Sequence, residues 1–198
     1  MPEQPDLLHS AFLVSALSAV WTLLASAAAI VIGLVGDSLA LVAFGVVGIL
    51  DCTASVALVA HFRDARSGGT AEHLERIALR IVTIGLVCVG LATCVVSTTH
   101  LVNRQEADDS SLSVLLAAIS FFALSVLAVR KHYISVRLPS HALLADSHLS
   151  AVGAVLAAVT LGGTAASSSL GWWWADPVAA LAIAVVAIGL GIVLRRES

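Results

Sequence analysis

Long apolar stretches broken by short polar ones set the pattern of the chain. Residues 11–36 carry no charge, 38–60 carry only Asp51, and 81–99, 111–129, 147–175 and 177–194 hold no Asp, Glu, Lys or Arg. A membrane-spanning helix needs about 20 mostly apolar residues. The pattern therefore predicts six helices, over about 12–35, 38–62, 76–100, 111–129, 141–163 and 174–194. The first run follows Glu3 and Asp6 instead of a basic stretch, and so reads as a span and not as a cleaved signal. Gly36-Asp37-Ser38 reads as a tight turn, and Arg63 to Glu75, with Ser67-Gly68-Gly69-Thr70, as a polar loop. Asn103 to Ser110 is an acidic loop, with Glu106, Asp108 and Asp109, and Arg130-Lys131 through Pro139-Ser140 is a basic one. Gly162 to Gly171 closes the fifth helix, and Asp176-Pro177 reads as an N-cap with proline at the first position of the sixth.

Composition turns this pattern into a class. The 198 residues are 59% hydrophobic and 12% charged, with a mean hydropathy of +1.01, against roughly 45–50% and about 25% in soluble domains. So little charge cannot cover a water-facing surface. This excludes a cytosolic enzyme and a disordered tail, and leaves an all-α, polytopic membrane protein. It is expected to form a single transmembrane domain over 1–198 with no soluble domain. A net charge of −3 with ten Lys and Arg residues offers no basic face to nucleic acid. With six spans, Arg63, Arg66, Arg76, Arg80, Arg130, Lys131, Arg137, Arg195 and Arg196 share one side, and only Arg104 lies on the other. Positive charge concentrates on cytoplasmic loops. Both termini are therefore expected in the cytoplasm, in a multi-pass protein of the cell inner (plasma) membrane. Trp172-Trp173-Trp174 then falls at the outer interface, where indoles prefer to lie.

Ionisable residues inside apolar spans cost about 2.5–3.5 kcal/mol or more to insert, so each needs a reason. Asp51 lies roughly 16 Å from the cytoplasmic end of helix two, and Asp146 and His148 lie about 9–12 Å into helix five, at 1.5 Å per residue. One carboxylate–imidazole site in the inner half of the membrane would explain all three, and such O/N ligands suit zinc, manganese, cobalt or iron. Asp146 and His148 are two apart on one helix and point in nearly opposite directions, so only one of them is expected to meet Asp51. The structural alternatives are a protonated Asp51 bonded to a hydroxyl, Asp146 as a helix N-terminal carboxylate, and His148 as a neutral buried imidazole. Cys52, Cys88 and Cys94 lack CxxC spacing, so neither a disulfide framework nor a zinc knuckle follows; Cys52 reads as a packing residue, and the histidines at helix ends read as solvated. No GxxxxGK[ST], CxxCH, HExxH or GxSxG occurs. The chain thus reads as a non-enzyme, and a transporter of this kind would draw on protons, which Asp and His exchange for metal ions.

Three stretches together resemble the cation diffusion facilitator superfamily of divalent-metal/proton antiporters, in its compact six-helix bacterial branch without the cytoplasmic C-terminal domain. GDSLALVAFGVVGILDCTASVALV at 36–59 is similar to that family's second helix, SHALLADSHLSAVGAV at 140–155 to its fifth, and GWWWADPVAALAIAVVAI at 171–188 to its sixth. The resemblance implies cation/proton antiport, in the direction of efflux, through a site between helices two and five. It also implies a homodimer, here held through membrane contacts alone. Asp51 aligns with the second aspartate of the family's helix-two motif and Val47 with the first, while Leu149 and Gly153 take the helix-five ligand positions, with His148 one place early. Thr22 and Ala25 occupy the helix-one positions that carry polar residues in the compact branch. Two expectations stand side by side. One is an antiporter with a rearranged site of Asp51, His148 and Asp146; the other is a related membrane protein that binds metal or a partner without transporting.

Overall fold

The computed structural model describes residues 4–64, 71–105, 107, 111–137 and 141–197, with side chains described over most of 14–53, 80–134 and 150–195 and at Ser147. Every regular element among the described residues is a helix: α1 (Gln4–Val35), α2 (Leu39–Asp64), α3 (Ala71–Asn103), α4 (Ser111–Arg137), α5 (His141–Leu170) and α6 (Ala175–Glu197). Five carry stretches apolar and long enough to cross a membrane: Ala16–Val35, Val82–Asn103, Ser111–Ile134, Ser150–Leu170 and Ala175–Val193. α2 adds a shorter described apolar stretch, Leu39–Thr53. These lengths and compositions are compatible with a multi-pass membrane protein.

Packing runs in a ring. α1 packs on α2, α2 on α3, α3 on α6, α6 on α5, α5 on α4, and α4 returns to α1. α2 also reaches across to α5 and α6, so it touches four of the other five helices. The interior is built from small residues, including Ala29, Ala40, Ala157, Ala180 and Ala187, whereas Leu24, Val35, Phe122 and Val185 point outward. In lipid no hydrophobic force drives helices together, so close backbone approach through small side chains does that work.

Three helices end on a residue in the left-handed region: Asp37 (φ 50°), Arg104 (φ 51°) and Gly171 (φ 65°). Their neighbours' amides reach back to late helical carbonyls, as Ser38 N–H does to Gly33 O at 2.9 Å and Gln105 N–H to His100 O at 3.0 Å. These three connections meet at one end of the bundle. Ser38 in the first bonds Asp176 beyond the third, and the Arg104 guanidinium lies 5.8 Å from the centroid of the Trp173 ring.

The helices outrun several sequence expectations. α4 continues through Arg130 and Lys131, which the sequence places in a loop. α5 continues through Gly162 to Leu170, where closure was expected. Its serines stay helical by turning their hydroxyls onto their own backbone: Ser168 and Ser169 both donate to Ala165 O. Asp176 is not the N-cap of α6, which begins one residue earlier. Its carboxylate instead accepts from the Ser38 hydroxyl at 2.6 Å and Leu39 N–H at 2.7 Å, with Ala40 N–H at 3.4 Å from both oxygens. Leu41 N–H donates to Ser38 Oγ at 3.3 Å, so Ser38 caps α2 in its own right.

α5 comes up against α6 because Gly163 has no side chain. A Cβ there would collide with Ala179 Cβ and stand 3.3 Å from Ala175 O, whereas one on Gly162 would meet nothing within 4 Å. Gly162→Ala is therefore expected to be neutral or to stabilise by up to about 1 kcal/mol through helix propensity. Gly163→Ala should destabilise by about 1–3 kcal/mol through overpacking. Thermal unfolding of the detergent-solubilised variants checks this, and equal midpoints would contradict the packing described.

Candidate functional site

Asp51 sits half-buried in α2, about 20 Å along the helix from Ser38 at 1.5 Å per residue. The residues around it fasten α2 to its neighbours. Gly48 lies against Ser26 of α1, where a Cβ would strike Ser26 Oγ, and Leu50 fills the space left by Gly85 of α3. Cys52 is buried, with its thiol 3.7 Å from Ala19 O of α1, which fits its expected packing role. Thr53 turns its hydroxyl onto Ile49 O at 2.8 Å. Asp51 is thus carried on a locally well-braced stretch of the helix at the centre of the bundle.

The other two candidate ligands share α5, whose backbone includes Asp146 and His148, but their side chains lie outside the described residues, as does that of Leu149. α5 packs on α2, so the topology brings the helices of all three candidates together. Among the described residues no group of three or more His, Cys, Asp and Glu side chains is placed to hold a metal ion. Two positions expected to carry ligands by resemblance are filled differently. Val47 belongs to the apolar core at 3% exposure. Gly153 faces α4, where a Cβ would stand 3.4 Å from Leu124 Cδ1. On α1, Ala25 is buried and the Thr22 methyl would lie 3.9 Å from a Cβ on Gly48.

One charged residue in the interior was missed by the sequence reading. Lys131 is 2% exposed, and its ammonium donates to Ser150 Oγ of α5 at 2.9 Å. Ser150 and Ser147 are buried beside it on α5. The sequence does hold a signal. The buried positions of α4 are Ser113, Ala117, Ser120, Leu124, Lys131 and Ile134, which follow the alternating four-and-three spacing of a packed helical seam. Lys131 falls on that seam, and its neighbour Arg130 falls off it and is exposed. Hydropathy alone sees two adjacent cations and ends the helix.

At the opposite end, Trp172 and Trp174 stack with ring centroids 5.2 Å apart and remain partly exposed, while Trp173 meets Arg104. This cluster packs aromatic rings and a guanidinium together. It offers no metal ligands.

No protein-family model matches the chain, and no curated protein matches it in sequence.

Proposed function

We propose that this protein is a divalent cation transporter that exchanges metal ions for protons across the membrane, with Asp51 at the heart of its site. The observation that carries the reading is a half-buried carboxylate in the middle of α2, the helix that packs on α1, α3, α5 and α6. Ionisable groups inside apolar spans are costly and mark ion paths. One of the helix-five candidates, Asp146 or His148, would complete with Asp51 an O/N ligand set of the kind taken by zinc, manganese, cobalt or iron(II). In this reading all six helices span the inner membrane as one transmembrane domain. Both termini are cytoplasmic, efflux is the direction, and two copies associate through membrane contacts. The orientation is supported by the basic residues, which concentrate away from the Asp37, Arg104 and Gly171 end. The family resemblance of α2, α5 and α6 supports the exchange chemistry.

A second reading has its own observation. Val47 in the apolar core and Gly153 against Leu124 stand where the resembled family carries ligands. A protein so altered would bind a metal ion or a partner without moving ions.

Flux into proteoliposomes under an imposed pH gradient separates the two, with zinc, manganese, cobalt and iron(II) each tested alone. Wild type is expected to transport at least one ion, and Asp51→Asn to lose that flux while remaining folded. Flux absent for every ion, or unchanged in the variant, would overturn transport; metal binding without flux would favour the second reading. Orientation has a separate check by impermeant thiol labelling of intact cells. Asp37→Cys and Gln105→Cys should label from outside and Arg66→Cys should not; the reverse pattern would invert the topology.

A further inference from the structure

We propose that a buried water molecule bridges α4 and α5 through the hydroxyls of Ser120 and Thr160, with Thr164 as its next acceptor. The site stands apart from Asp51 and holds whether or not the protein moves ions.

Two contacts fix the register of the helices. Lys131 Nζ donates to Ser150 Oγ at 2.9 Å, and a Cβ on Gly153 would stand 3.4 Å from Leu124 Cδ1. The residue order reverses between the two contacts, so α4 and α5 run antiparallel. Counted from either contact at 1.5 Å per residue, Ser120 and Thr160 lie within about 5 Å of the same height. Ser120 is one turn from Leu124 on the buried face of α4, and Thr160 is two turns from Gly153 on the face of α5 that meets α4. Thr164 follows one turn later, and all three residues are fully buried.

Their hydroxyls are matched to water and not to an ion. Thr160 donates to Leu156 O at 2.9 Å and Thr164 to Thr160 O at 3.0 Å. Each proton is thereby spent, and the two oxygens remain as acceptors. Ser120 Oγ has no hydrogen-bond partner among the described residues and keeps its proton to give. A water that accepts from Ser120 and donates to Thr160 and Thr164 makes three bonds, the usual number for a buried water. Left unpaired, the Ser120 hydroxyl would bear the full cost of its desolvation. α4 carries no Asp or Glu, and α5 carries only Asp146, roughly 21 Å along the helix from Thr160. A neutral dipole suits that setting. Thr83 and Ser97 of α3 are also unpaired. They lie seven residues either side of Gly90, which faces α6, and α6 has no Ser or Thr to share a water with them.

The test combines a double-variant cycle with labelling of the full-length protein in detergent micelles. Ser120→Ala and Thr160→Val should each lower the folding equilibrium constant by about three- to ten-fold. The double variant should lose no more than the worse single one, because either change releases the same water. Radiolytic hydroxyl labelling of wild type, which needs no variant, should oxidise buried Leu124 or Leu156, and Ser120→Ala should lose that oxidation. Ser120→Ala as stable as wild type or more so would overturn the proposal, as would losses that simply multiply in the double variant. Wild type left unoxidised at both leucines would overturn it too. Stability that rises in sodium chloride over choline chloride at equal ionic strength, and only with Ser120 present, would assign the site to a cation and overturn it equally.

Discussion

The carboxylate of Asp176 set on the first turn of α2 is the contact on which the arrangement of the bundle depends. A helix N-terminus leaves its first N–H groups without partners, and where those groups are buried the protein itself must supply acceptors. Asp176 takes Leu39 N–H, Ala40 N–H and the Ser38 hydroxyl, while Ser38 takes Leu41 N–H. The donors need the carboxylate, and the carboxylate needs the donors. At 1% exposure it would be expensive to bury without them, and the positive end of the α2 dipole adds to the match. Losing the carboxylate leaves these buried donors without their partner, at a cost of about 1–3 kcal/mol for each group left unsatisfied. Pro177 follows in the first turn of α6, where a missing N–H forfeits no helical bond.

From that anchor, geometry carries down the molecule. A helix is stiff and rises 1.5 Å per residue, so fixing the start of α2 against α6 fixes the height of Asp51. Its sideways position comes from the glycines that let α1 and α3 close in around it. Gly45 shows the tolerance involved, since a Cβ there would stand 2.7 Å from Ser26 O. The interior beyond these contacts holds further serine and threonine hydroxyls, and two of them on α5 are satisfied within their own helix. Thr160 and Thr164 donate to the carbonyls four residues earlier in α5, at 2.9 and 3.0 Å. Among the described residues, Asp51 and Lys131 are the charged side chains withdrawn from the surface whose placement is not explained by a helix end.

The six helices were legible in the sequence because each is a long apolar run between polar breaks, and hydropathy needs no tertiary information. Their ends were less so. The expected stop at Arg130-Lys131 failed because a charged residue on a packed seam can be bonded by the neighbouring helix, as Ser150 does. The stop at Gly162 failed because serine hydroxyls can satisfy themselves within a helix. Asp176 was recognisable as a capping residue, but its target was not, since Ser38 is 138 residues away and no local periodicity encodes such a pairing. Of the candidate site, Asp51 stood out for the reason that matters physically, a carboxylate deep in an apolar run. Asp146 and His148 were legible as ionisable residues in a span, and their side chains lie outside the described residues.

The most direct measurement is amide hydrogen exchange at Leu39, Ala40 and Leu41, followed by nuclear magnetic resonance in detergent micelles for wild type and Asp176→Ala. If the α6 carboxylate holds the start of α2, wild type protects all three amides. The variant is expected to lose protection at Leu39 and Ala40 and to keep more of it at Leu41, which Ser38 caps. Unchanged exchange at Leu39 and Ala40 would contradict the role given to Asp176.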